Sequence, residues 1–187
     1  LICSAVIAFV LVITLAGCSK GSVREGFDWP RWRGPTGDGV SEETNWNPKA
    51  LDSPRVSWMA DAGTGYASVA IKANRLITSG IKEGTTVVFC FSADTGKVLW
   101  EYPLGGVKFP QATPTIDGES VYVLSAEGVL VCLDAGKGRL KWKKDLVSDY
   151  KAVKRFYNFA GSLVIEGDLL LLTANTPGIA VKNETGE

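Results

Sequence analysis

The residues of this chain whose types could do chemistry are four cysteines, Cys3, Cys18, Cys90 and Cys132, and a run of basic and aromatic side chains from Tyr150 to Phe159. Histidine is absent, which removes Ser-His-Asp and Cys-His nucleophilic catalysis and the common His-containing zinc sites in one step. No two cysteines are spaced C-x-x-C, so neither a zinc ribbon nor a thioredoxin-type pair is supported. Thr36-Gly37-Asp38-Gly39 lacks the alternating ligands of a calcium loop, and Gly63-Thr64-Gly65 lacks the third glycine of a dinucleotide fingerprint. The expectation is that no residue of the chain is catalytic, metal-binding or cofactor-binding. Twenty Lys plus Arg balance 20 Asp plus Glu. Without a basic excess, nucleic acid is not an expected partner.

The elements that carry these residues repeat. Cys90 to Trp100 reads C-F-S-A-D-T-G-K-V-L-W and Cys132 to Trp142 reads C-L-D-A-G-K-G-R-L-K-W. Trp58, Trp100 and Trp142 recur every 42 residues, and a third copy from Ala180 puts Gly186 in the slot of Gly96 and Gly138. A period of about 40–45 residues is that of a four-stranded propeller blade. Glycine accepts the positive φ of a tight turn, and a tryptophan at one register in each blade is suited to wedge against the next. Strand pairs are expected at Ser68 to Ile71 with Arg75 to Ser79, and at Val87 to Ser92 with Lys97 to Tyr102. The next repeat gives Thr113 to Ile116, Val121 to Ser125, Val129 to Asp134 and Arg139 to Lys143. The third gives Leu163 to Ile165 and Leu169 to Thr173. No stretch has a sustained helical period, so the fold class is all-β. Cys90 and Cys132 occupy the small-residue slot filled by Ala180, which points to packing between blades instead of a disulfide, since equivalent sites on neighbouring blades are expected to lie too far apart.

The pattern Ala-x-Asp-x-x-x-Gly-x-x-x-Trp resembles the tryptophan-docking motif of the quinoprotein-like β-propellers, the PQQ-like repeat family. Cys132, Asp134, Gly138 and Trp142 fit it with Cys for Ala. Cys90, Gly96 and Trp100 fit with Ser92 for Asp, and Ala180 and Gly186 fit with Lys182 there. The resemblance covers roughly Trp29 onward. It implies a partial propeller of four-stranded antiparallel blades, three to four of the eight the family favours, over residues 53–187. The chain stops inside a docking motif, so a longer parent protein is expected. The family includes pyrroloquinoline-quinone (PQQ) alcohol dehydrogenases and non-catalytic relatives, among them the propeller lipoprotein of the outer-membrane protein assembly machinery.

Residues 1–17 carry no charge and end in small residues, as the apolar region of a secretory signal does. Leu15-Ala16-Gly17-Cys18 resembles the bacterial lipobox, making Cys18 the expected lipid attachment site; a plain anchor helix is the alternative. Ser19 after the cysteine points to the outer membrane under the usual Gram-negative sorting pattern. Residues 18–52 are rich in Gly and Pro with Trp29, Trp32 and Trp46 among them. They are expected to form a lead-in that packs its aromatics on the propeller flank, the alternative being a ligand site using Arg31, Arg33 and the tryptophans. The third repeat is stretched to 48 residues between Cys132 and Ala180. The added stretch carries Tyr150, Lys151, Lys154, Arg155 and Tyr157, either a partner-contact loop or a neutral insertion.

Together these readings lead to a non-catalytic, lipid-anchored periplasmic scaffold that faces envelope proteins or glycans and touches the membrane through Cys18. Two alternatives stay open: a PQQ-dependent dehydrogenase with calcium, and a sugar- or peptide-binding propeller. The dehydrogenases typically show an adjacent-cysteine disulfide and carboxylate calcium ligands, and neither can be matched residue by residue here.

Overall fold

Val121, Val123, Val131 and Leu133 alternate along two neighbouring strands with Tyr122, Leu124, Leu130 and Cys132, and every one of them is buried. Successive residues of a strand face opposite sides of its sheet, so this sheet must be covered on both. The first set packs against Ile77, Val88, Cys90 and Trp100. The second packs against Leu163, Leu170, Leu172 and Val181. Three sheets therefore stack face to face, with the middle one between two apolar layers.

The computed structural model describes residues 28–44, 47–174 and 178–187. The first sheet is an antiparallel meander of β1 (Ala70–Lys72), β2 (Arg75–Lys82), β3 (Thr85–Ser92) and β4 (Val98–Pro103). The second repeats it with β5 (Thr115–Asp117), β6 (Ser120–Leu124), β7 (Val129–Asp134) and β8 (Leu140–Asp145). The third has three strands, β9 (Val164–Glu166), β10 (Leu169–Leu172) and β11 (Ile179–Lys182). Each sheet is a blade, and the all-β partial propeller expected from the period is what the chain forms. Two short helical pieces join it: a 3-10 turn at Pro48–Asp52, and a one-turn helix α1 at Leu146–Tyr150. The sequence offered no period for α1. Its signal is a cap, because Asp145 accepts from the backbone N–H groups of Val147 and Ser148.

The three repeated tryptophans have equivalent surroundings. Each indole lies over the glycine of the following turn: a Cβ on Gly96 would fall 2.5 Å from the Trp58 ring, one on Gly138 2.6 Å from Trp100, and one on Gly186 2.9 Å from Trp142. Each Nε1–H donates to the matching carbonyl, Trp58 to Ala93, Trp100 to Ala135 and Trp142 to Asn183, all at 3.0 Å. The aromatic is aimed by a β-bulge in each full sheet: Cys90 opposes Trp100 but Phe91 opposes Val98, and Cys132 opposes Trp142 but Leu133 opposes Leu140. Ser92 takes the part of Asp134 in its turn. Its hydroxyl accepts from Thr95 N, as the Asp134 carboxylate accepts from Lys137 N.

The lead-in pairs by its backbone with the edge strands β1 and β5 of the first two sheets. Trp29 exchanges both backbone hydrogen bonds with Ile71 of β1, and the carbonyl of Pro30 accepts from Ile116 N of β5, each at 2.8 Å. Free edge groups on the first strands are thereby satisfied. Gly63-Thr64-Gly65 is explained in the same terms. Thr64 bridges Ile81, and Gly63 and Gly80 lie where the two backbones cross with no room for a side chain.

Gly138→Ala is expected to cost about 2–4 kcal/mol in urea unfolding, because it meets both a left-handed backbone and the Trp100 ring. Gly118→Ala, at φ 50 with open space around it, is expected to cost only about 1 kcal/mol. Equal losses for the two variants would show that the indole does not rest on the glycine.

Candidate functional site

The stretch that lengthens the third repeat is fixed at both ends and exposed between them. After α1, Lys151 turns the chain at φ 58, and Ala152, buried, donates its N–H to the carbonyl of Leu146 at 2.9 Å. At the far end Phe159 is fully buried with its ring against Gly128, and its N–H donates to Ala126 O. A turn closed by Asn158 N to Arg155 O at 2.8 Å lies between them. It presents Phe156 at 90% and Tyr157 at 70% exposure, ring against ring at 4.9 Å, next to exposed Lys154 and Arg155.

A second loop, between β4 and β5, supports the first. Lys108 Nζ donates to Asn158 Oδ1 at 3.0 Å and Gln111 Nε2 to Tyr157 O at 3.3 Å. The supporting loop is itself held from beneath, because Glu127 Oε1 accepts from the N–H groups of Val107 and Lys108, both at 2.9 Å. Val107 and Phe109 are exposed on it, and Tyr66 meets Phe109 edge-on at 5.8 Å. The result is one rim with standing aromatics and cations on a hydrogen-bonded base. Nothing in the period marks Lys108 or Gln111. Their only sequence signal is the position of their loop, next to the stretched connection on the same rim.

The expected contact residues divide into two groups. Tyr150 turns inward: its hydroxyl donates to Gly186 O at 2.6 Å, and burial raises its pKa. Lys151 is exposed, with Nζ donating to Ser148 O. Lys154, Arg155 and Tyr157 stand at the tip. The nearby Asp149 is already engaged, by Asp145 N and the Ser148 hydroxyl, and these hydrogen bonds lower its pKa. Arg31 and Arg33 of the lead-in donate to carbonyls of their own loop, at Gly34, Pro35 and Asp38. Cys18, residues 1–17 and Trp46 lie outside the described residues.

Cys90 and Cys132 sit in different apolar layers as free thiols. Burial pushes the Cys90 thiol up to about 11, and Cys132 is raised for the same reason. Among the described residues no three His, Cys, Asp or Glu side chains gather as a metal site would need.

A family model described as outer membrane protein assembly factor BamB matches residues 35–187. Among solved structures the chain is similar to the quinohemoprotein alcohol dehydrogenase of Comamonas testosteroni, at 17% identity and a TM-score of 0.68, covering 89% of this chain and 27% of that one. It is also similar to a europium-containing methanol dehydrogenase, at 15% identity and a TM-score of 0.69, covering 88% and 31%. At these identities the likeness is one of fold, and the chain spans about a third or less of either enzyme. A BamB structure from Moraxella catarrhalis matches at 17% identity and a TM-score of 0.47, over 69% of this chain and 41% of that one. No curated protein matches the chain.

The buried thiols generate a test. Iodoacetamide at mildly alkaline pH is expected to leave Cys90 and Cys132 untouched in the folded protein and to modify both in urea. Stability should also fall as pH rises from 9.0 to about 11, because the unfolded chain ionises Cys90 near its ordinary value while the folded chain keeps the proton. That slope should weaken in Cys90→Ala. Rapid labelling of either folded thiol would contradict the buried placement.

Proposed function

Because the chain belongs to the family described as outer membrane protein assembly factor BamB, we propose that it is a non-catalytic, lipid-anchored β-propeller acting as a binding scaffold in a bacterial cell envelope. The observation that carries this reading is the rim: a rigidly based loop that presents Phe156, Tyr157, Lys154 and Arg155 to the outside. Exposed aromatic side chains beside arginine, on loops held by a scaffold, are the usual makings of a contact surface. In this reading the leader is removed, Cys18 carries lipid, and the disc sits at the outer membrane facing the periplasm. Its partners there are envelope proteins or glycans. Tyr150 acts behind the surface, fixing α1 to the third sheet, and Lys151, Lys154, Arg155 and Tyr157 make the contact.

Two measurements test this. An alkyne-tagged fatty acid fed to expressing cells is expected to label the protein and to fail on Cys18→Ala. Alanine at Lys151, Lys154 and Arg155 together is expected to weaken at least one interaction of the full-length protein in the envelope, with protein, glycan or lipid, about tenfold, without changing its melting temperature. Unlabelled wild-type protein would remove the anchor. Unaltered association of the triple variant would remove the loop.

A further inference from the structure

From the chemistry of the loop tip, residues 153–157, we propose that it docks into an anionic lipid headgroup layer and so fixes which rim of the disc faces the membrane. The proposal rests on the envelope location argued above and names the occupant of one part of the rim. For residues 153–157 it puts lipid in the place of the protein or glycan contact named above, and proteins or glycans keep Lys151 and the remainder of the rim.

The first argument is shape. Phe156 and Tyr157 stand out from a turn at 90% and 70% exposure, and Val153 beside them is 49% exposed. A polypeptide partner would need a pocket cut to two projecting rings, whereas a headgroup layer accepts projecting aromatics without a matching cavity. Tyrosine suits that depth, with an apolar ring and a polar tip.

The second argument is charge. The chain as a whole is balanced, at 20 basic and 20 acidic residues, yet the tip is not. Lys154 and Arg155 flank the aromatics, Lys151 precedes them, and Lys108 is held against the same turn through Asn158 Oδ1, a neutral acceptor. Against these four cations stand two nearby carboxylates: Asp149, which accepts from Asp145 N and Ser148 Oγ, and Glu127, whose Oε1 accepts from Val107 N and Lys108 N while its buried Oε2 has no partner among the described residues. Basic side chains near a membrane surface draw it through anionic lipids, and the attraction is screened by salt.

The third argument is rigidity. Ala152 and Phe159 are buried at the two ends of the tip, and hydrogen bonds from Lys108 and Gln111 hold its base. Docking therefore requires little new ordering of the loop.

The experiment uses the anchored full-length protein carrying Val153→Cys. Burial of Cys90 and Cys132 and the lipid on Cys18 leave position 153 as the reactive thiol of this stretch for an environment-sensitive dye, and any cysteine beyond it is replaced by serine. Dye appearing on Cys18 would report failure of the anchor reading, separately from the tip. The labelled protein is placed in vesicles of phosphatidylcholine alone, or with about one third phosphatidylglycerol, each carrying a headgroup-proximal spin-labelled quencher. Quenching is expected to be at least about threefold greater with phosphatidylglycerol and to fall in high salt. It is expected to be lost in Lys154→Glu/Arg155→Glu and reduced in Phe156→Ser/Tyr157→Ser, with unchanged circular dichroism in both. Equal quenching in the two vesicle types, or quenching indifferent to charge reversal, overturns the proposal. So does a dye that stays in water on both vesicles and is shielded only when envelope proteins are added, which would assign the tip to a polypeptide.

Discussion

The structure depends on one contact made three times: an indole laid flat on the glycine of the next sheet's turn. A blade has two apolar faces and cannot bury either by itself. At Trp100 and Trp142 the contact ties the last strand of one sheet to the final turn of the next, so that the faces between them close, and Trp58 makes it from the irregular chain ahead of β1. Covering a tryptophan contributes on the order of 4 kcal/mol from its apolar area, and the Nε1–H bond to a backbone carbonyl adds about 1 kcal/mol. Glycine is required for two reasons at once. Its backbone has positive φ, and its missing side chain is the space that the ring fills. Trp100, with a full sheet on either side, is 8% exposed, while Trp58 and Trp142 remain half-buried.

Much of this was legible in the sequence because a repeat reports on itself. Matched cysteine, glycine and tryptophan at a fixed interval could be read as equivalent positions, and their surroundings prove equivalent down to the hydrogen-bonded carbonyl. Cys90 and Cys132 were readable as packing residues on the same ground, and they sit in separate layers. What the period could not convey was anything made once. Residues 29–30 pair with the edge strands β1 and β5 through backbone hydrogen bonds, which leave no side-chain pattern. The one-turn helix α1 depends on the single carboxylate of Asp145. The inward role of Tyr150 comes from a hydroxyl reaching the third sheet across 36 residues of sequence, and composition alone made it look like its exposed neighbours.

The rim follows from the same division of labour. Sheets stacked face to face leave the connections between blades as the place where sequence can vary without opening the core. The connection from the second to the third sheet carries the extra residues here. They are spent on a platform in which buried Ala152 and Phe159 hold the loop, while Lys154, Arg155, Phe156 and Tyr157 are left outward. The groups it exposes are cations and aromatic faces. The fold shared with quinoprotein dehydrogenases shows how the architecture is built and leaves the activity to be argued from residues.

The central claim is that Trp58, Trp100 and Trp142 are equivalent wedges, and indole hydrogen exchange tests it most directly. In a nitrogen-15 spectrum, assigned by single tryptophan-to-phenylalanine variants, the account predicts three slowly exchanging Nε1–H resonances. Trp100 should be the slowest, with Trp58 and Trp142 protected to similar extents. Nε1–H groups that exchange at the free rate at all three positions, or protection at Trp100 alone, would contradict it.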